Sequence, residues 1–288
     1  MAVRTLLLLP PAVLGAALLL SLAPAARAAE DEAAPATGKP VWEAGLVAGG
    51  GWVPDYPGAA QSHARGLLAP LVIYRGPLLR IDEEGLRGRL VRHPDWELDL
   101  SASAAFNARS NEARAGMPPL DYLFGLGPQL VYRGWRNAPG APTLHLKLSA
   151  MVSTDFHRLH RRGAVFEPEL RWHPALPGAA PGTRLTVGLQ PTWASRALNA
   201  WFYEVAPGQA TPARPAYQAR AGYLGTQLRL SLSRRIDERL SWFVAAQAQS
   251  LHGSANADSP LLLRHGGVGV GIGLLWTPWR STARVGAD

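Results

Sequence analysis

Hydrophobic and polar residues alternate along most of this chain, most clearly around residues 222–250. Leu224, Thr226, Leu228, Leu230 and Leu232 occupy one set of positions. Tyr223, Gly225, Gln227, Arg229, Ser231 and Ser233 occupy the other. Side chains on a strand alternate faces, so this spacing predicts a strand with one oily and one polar face. A polar turn at 234–239 follows, and the alternation resumes with Trp242, Val244, Ala246 and Ala248 against Phe243, Ala245, Gln247 and Gln249. Such strands, about 9–11 residues long, suit a tilted crossing of an outer membrane. Soluble sheets use shorter ones of roughly five or six residues.

The same period predicts ten further strands, at 42–52, 67–74, 78–82, 85–91, 96–106, 122–132, 144–152, 166–172, 185–193 and 268–276. With the hairpin they make about twelve, an even number as expected of a bacterial single-chain barrel. The expected fold is therefore all-β, an up-and-down antiparallel transmembrane barrel over 41–279. Two strands carry irregularities. Residues 67–74 are apolar on both faces, which leaves their orientation open, and Pro128 inside 122–132 predicts a bulge. From a periplasmic N-terminus, the connections at 55–66, 108–121, 155–163, 195–221 and 251–266 fall outside the cell. Those at 75–76, 93–95, 134–142, 174–182 and 234–239 fall in the periplasm. Trp and Tyr near the strand ends match aromatic girdles.

The N-terminus changes the picture by giving a route. Arg4, an apolar run over 6–22 and Ala26-Arg27-Ala28 predict a signal peptide over 1–28 rather than a retained anchor. An Ala/Pro-rich lead-in, 29–40, is expected to be flexible, and 280–288 forms a polar C-terminal tail. There are no cysteines, so no disulfide, thiolate metal site or lipoprotein anchor is expected. No cofactor is predicted. A mean hydropathy of −0.03 fits strands that average an oily face with a wet one. The formal charge of +8 comes almost wholly from arginine. In an exported chain it points to anionic lipid or solutes, not to nucleic acid.

A family resemblance lies in three stretches near the start: Trp52-Val53-Pro54-Asp55-Tyr56-Pro57-Gly58, Pro70 with Tyr74-Arg75-Gly76, and Ile81-Asp82 with Gly85-Leu86-Arg87-Gly88. With Tyr217, Gly222 and Ala257-Asp258-Ser259-Pro260 they resemble the MipA/OmpV family, outer-membrane proteins of Gram-negative bacteria. The resemblance implies an outer-membrane barrel. It also implies a scaffold linking a lytic transglycosylase to a peptidoglycan synthase, or a narrow porin-like channel, and it brings no enzymatic signature. One departure is the end of the chain. Barrels of this kind commonly finish on an aromatic residue, whereas here Trp276-Thr277-Pro278-Trp279 precedes a polar tail.

Candidate chemistry is sparse. Ser153 near His157 and His160, and His252 near Ser250 and Ser254, are chance neighbours unless a fold assembles them. The basic run of His157, His160, Arg161 and Arg162 is either a solvated loop or a contact for lipopolysaccharide phosphates. The inward positions are richer. Glu43, Arg80, Asp82, Arg87, Arg89, Glu97, Asp99, Lys147, Glu167, Glu169, Arg171 and Arg229 form an expected luminal charge network, which either plugs the barrel or lines a narrow wet pore. Arg133, Trp135 and Arg136, on a periplasmic turn, are candidates for docking a partner protein or for the inner aromatic girdle.

Overall fold

The computed structural model describes residues 39–75, 79–82, 85–88, 91–92, 95–135 and 141–285. The expected signal segment 1–28 and residues 29–38 of the lead-in lie outside the described residues. So do Arg89, Arg136 and tail residues 286–288, as well as the side chains of Arg80, Asp82 and Arg87.

The strands in chain order are β1 (Lys39–Pro40), β2 (Trp42–Pro54), β3 (Ser62–Arg75), β4 (Leu79–Asp82), β5 (Gly85–Gly88), β6 (Val91–Arg92) and β7 (Trp96–Ala105). They continue as β8 (Tyr122–Tyr132), β9 (Thr143–Thr154), β10 (Leu159–Trp172), β11 (Thr183–Ala194), β12 (Gly222–Arg235), β13 (Leu240–Ser250), β14 (Gly266–Arg280) and β15 (Arg284–Val285). Among the described residues one α-helix, α1 (Arg196–Tyr203), interrupts them.

Thirteen strands form one antiparallel sheet in the order β5-β4-β3-β2-β14-β13-β12-β11-β10-β9-β8-β7-β6. β5 and β6 are three residues apart in the chain, and β5 packs on β7 while β6 pairs with it. The two pieces thus share one position between β4 and β7. Thirteen strands less that shared one give twelve positions, and the contact of β5 with β7 brings the two ends of the sheet order together. This is the expected barrel. No described helix is long and apolar enough to cross a membrane, and here strands do the crossing.

Alternation fixes what faces out. On β14, Val268, Val270, Ile272 and Leu274 are 70%, 56%, 62% and 48% exposed, while Gly269 and Gly273 on the other face are buried. An apolar belt of this extent is unfavourable in water and matches a lipid solvent. The orientation of β3 is settled in the same way, with Leu68 and Val72 outside and Ile73 buried inside. Aromatic rings close both rims. At the rim carrying the chain termini, Trp96 packs at a tilt on Tyr132, ring centres 4.4 Å apart, and Trp276 lies 6.2 Å from Trp279. At the opposite rim Trp193 lies between Phe166 and Tyr223, at 6.1 and 5.6 Å.

Three expectations change. Pro128 causes no bulge: β7 and β8 stay in register through it, and on the β9 side only the pairs at 127 and 128 are missing. A bulge appears instead where β11 meets β12, as Thr192 pairs with Gly225 but Trp193 with Tyr223. This extra residue swings Leu224 off the oily outer face and into an interior cluster. The connection expected at 155–163 is shorter, because β10 begins at Leu159 and takes up a bulge between Arg161 and Gly163.

The seam between β2 and β14 explains one glycine. β14 bulges between Trp276 and Trp279, pressing the Trp276 carbonyl onto Gly45, where a Cβ would sit 1.7 Å from that oxygen. The bulge also turns Thr277 inward, so that its hydroxyl donates to Glu43 Oε2 at 3.1 Å. Beyond it the chain is not a free tail. Lys39 and Pro40 of β1 pair with Val285 and Arg284 of β15, clasping the two ends of the chain together.

The alternation predicts a contrast between neighbouring positions. Leu228→Arg, on the outer face and 39% exposed to lipid, is expected to cost about 2–4 kcal/mol in denaturant unfolding from vesicles. Gln249→Arg, facing inward on β13 at nearly the same height, is expected to cost at most about 1 kcal/mol. Equal costs would contradict the assignment of faces.

Candidate functional site

The lumen has two unlike walls. From β12 round to β2 the inward positions are mostly small or amide-bearing, including Gly49, Gly51, Gly269, Gly271, Gly273, Gln247 and Gln249, with Arg229 and Glu43 as charged exceptions. The wall from β7 to β11 carries the charge. There Arg133 pairs with Glu97 beside the termini rim. Glu169 on β10 receives Lys147 of β9 and Arg171 two residues along its own strand, the latter at 2.9 Å. Gln190 of β11 extends the chain, accepting from Lys147 at 3.2 Å and donating to Glu167 at 2.7 Å. Asp99 is fully buried in the same wall.

Buried charges are tolerable only when opposite charges and hydrogen bonds replace water, and antiparallel register supplies them here. Register sets Lys147 of β9 opposite Glu167 of β10, and from there Lys147 reaches Glu169, the next inward position along that strand. The structure therefore brings together Glu97 with Arg133 and Glu169 with Lys147 and Arg171. It separates Glu43, which sits at the β2–β14 seam, and Arg229, which donates to Gln227 at 2.7 Å. Alternation could not show the bridging role of Gln190, because nothing in the pattern distinguishes it from other inward amides.

The rim opposite the termini is covered by a cap the alternation does not predict. Ser195 accepts from the Leu198 amide and starts α1, whose Leu198, Phe202 and Tyr203 turn into the mouth. They join Val205 just beyond the helix, and Tyr56, Leu120, Leu251, Leu261 and Leu262 from three other connections, in the apolar core of the protein. Polar contacts lock the segments. Tyr203 donates its hydroxyl to the Pro57 carbonyl at 2.9 Å, Tyr56 to Leu261 at 2.9 Å, and Ser259 to the Tyr203 carbonyl at 2.8 Å. Arg114 donates to the Phe202 carbonyl at 2.8 Å. The buried Asp55 carboxylate gathers His63 at 2.7 Å and Arg65 and Asn111 at 2.9 Å each.

Burial pushes the Tyr56 phenol up to about 12 and the Tyr203 phenol higher still, so both remain neutral donors. Burial pulls the Arg114 guanidinium down to about 10, still protonated at neutral pH. Beneath the cap lies a cavity of about 440 Å³, walled by cap residues above and by luminal side chains below.

Neither serine–histidine pairing is assembled among the described residues. Ser153 Oγ is buried and accepts from Arg162 Nε at 2.8 Å. His252 stacks on His265 at 5.1 Å, and Ser254 Oγ accepts from the Asn256 amide. At the termini rim, Arg133 is engaged by Glu97, and Trp135 meets Tyr132 edge-on at 5.1 Å. Those contacts draw the two residues into the lumen wall and the aromatic girdle respectively.

The cap makes a local prediction. Tyr203→Phe keeps the ring and removes one hydrogen bond, an expected loss of about 1 kcal/mol in opening of the cap. Hydrogen exchange at Leu261–Arg264 is expected to quicken about fivefold, with barrel unfolding unchanged. Unchanged exchange there would show that the hydroxyl does not hold the cap.

The family model described as MltA-interacting protein MipA matches residues 46–278. No curated protein matches the chain. Among solved structures, a NanC porin in a rhombohedral crystal form is similar at a TM-score of 0.39 and 7% identity, over 81% of this chain and 100% of that one. The family match begins within β2 and ends within β14, so it takes in all twelve strand positions and the cap. The chain is an outer-membrane β-barrel, and it belongs to the MltA-interacting protein MipA family.

Proposed function

We propose that this barrel is a scaffold, holding peptidoglycan-remodelling enzymes against the periplasmic face of the outer membrane. The cap is the observation that carries this reading. A protein built for passage keeps its mouth wet, whereas here an apolar core of interlocked segments covers one mouth. Several luminal charges also pair with one another, Glu97 with Arg133 and Glu169 with Lys147 and Arg171. The family description supports the reading, since it names an interaction with MltA, a lytic transglycosylase. Such an enzyme and a peptidoglycan synthase are the proposed partners. The runner-up is a narrow porin-like channel, favoured by the polar lumen below the cap.

The termini rim is the proposed docking face. An export signal at 1–28 would leave β1 and β15 in the periplasm and put the cap outside. Within that rim, Arg133 and Trp135 are partly engaged by the barrel itself. The turn after β12 is freer. Ile236 is 57% exposed there, flanked by exposed Arg234, Arg235 and Arg239. Asp237 accepts from the Arg239 and Leu240 amides at 2.7 and 2.8 Å and so presents Ile236 in a fixed turn. Those amides also hold the Asp237 carboxyl below its usual range. An ordered apolar side chain ringed by arginines suits a protein contact.

Two measurements test this. Ile236→Asp with Arg239→Ala is expected to cut co-purification of a lytic transglycosylase tenfold or more, matching the loss of one interface anchor. Trp135→Ala with Arg136→Ala is expected to cut it less. Full recovery with both double variants would contradict the scaffold reading. For orientation, a cysteine at the open position Gly208 should react with an impermeant thiol reagent on whole cells. One at buried Asn111 should react only after the cap is loosened. Labelling of Gly208→Cys only after the outer membrane is breached would invert the topology.

A further inference from the structure

The cavity beneath the cap carries charges that the network does not use. Glu167 accepts from the neutral amide of Gln190, and among the described residues no cation pairs with it. Arg229 spends only its Nε, on Gln227, and among the described residues no carboxylate pairs with it. Both side chains line the cavity. Glu97, Lys147, Glu169 and Arg171 each have an opposite partner, so these two half-buried charges of opposite sign, which lack one among the described residues, stand out.

Their surroundings narrow what could match them. Gln227 is held between Arg229 and Gln247, but the Gln247 Nε2 and the whole Gln249 amide have no acceptor or donor among the described residues. Amides of this kind pair with other amides, giving and accepting at once. The roof is apolar, formed by Leu198, Phe202 and Leu251 of the cap. At about 440 Å³ the space lies within the roughly 300–1,000 Å³ of small-molecule sites. By register Glu167 on β10 lies level with Gly225 on β12, so Arg229 stands two strands across and four residues along, about 16 Å between backbones at roughly 4.8 Å per strand and 3.3 Å per residue. The bond from Arg229 to Gln227 leans its head back towards Glu167, and the gap left is too wide for one amino acid but suits about three extended residues with a hydrogen bond at either end.

We infer that the cavity is a binding site for a short zwitterionic peptide of two or three residues. Its ammonium meets Glu167, its carboxylate meets Arg229, its amide groups meet Gln247 and Gln249, and its side chains pack under the cap. The inference does not depend on whether the termini rim docks an enzyme.

Trialanine is the probe, titrated calorimetrically into the full chain in detergent, with N-acetyl-trialanine and trialanine amide beside it. Free trialanine is expected to bind at least tenfold tighter than either blocked form, because each block removes one charge-assisted contact. Glu167→Gln should abolish the penalty for acetylation and keep that for amidation. Arg229→Gln should do the reverse. Free and blocked peptides binding alike, or no heat from millimolar trialanine with folded wild-type protein, would overturn the proposal. The comparison of peptides on the wild-type chain stands even where a variant fails to fold.

Discussion

Inside a bilayer no water is available to bond an exposed peptide group, so every backbone N–H and C=O on the wall must pair with a neighbouring strand. That requirement closes the sheet, and closing the sheet sets everything else. It puts alternate residues in lipid and in the lumen, which is why Val268 and Ile272 face out while glycines line the opposite side of β14. Closure also demands sharp local curvature. The β2–β14 seam supplies it with a bulge at Trp276–Trp279 that leaves no room for a side chain at Gly45.

The consequence is a protein turned inside out relative to a soluble domain. Its barrel interior is held by ion pairs and amides, and its apolar core lies at one end, in the cap. The cap is built from segments far apart in sequence. Tyr56 bonds to Leu261 and Tyr203 to Pro57, so each long connection is secured by another. Deep burial keeps both phenols neutral, and the hydrogen bonds they donate persist well above neutral pH.

The barrel was legible in the sequence because period-two patterning is a local property, repeated a dozen times. Strand number and the inward set that includes Glu97, Glu169 and Arg171 follow from it directly. Legibility ends where a single residue breaks the period. Leu224 reads as outward by parity, yet the bulge opposite Thr192 and Trp193 turns it inward. Pro128 reads as a bulge and is none, because its missing donor falls where the β8–β9 pairing lapses without a change of register. The cap was not legible, since its contacts join residues 55–61 to 259–264 and 195–221 with no shared period. The free charges Glu167 and Arg229 belong to the same class. Alternation places them inside, but only the register of three strands shows which neighbours each one lacks.

On the proposed reading, a barrel whose lumen is largely braced by ion pairs and whose mouth is covered by an apolar cap holds partners and does not pass solutes. Conductance in planar bilayers tests that claim most directly. Wild-type protein, inserted and folded in neutral buffer, is predicted to show no steady open level beyond the baseline of the bare membrane. A stable, ohmic open state of the unmodified protein would contradict the account and make the barrel a channel.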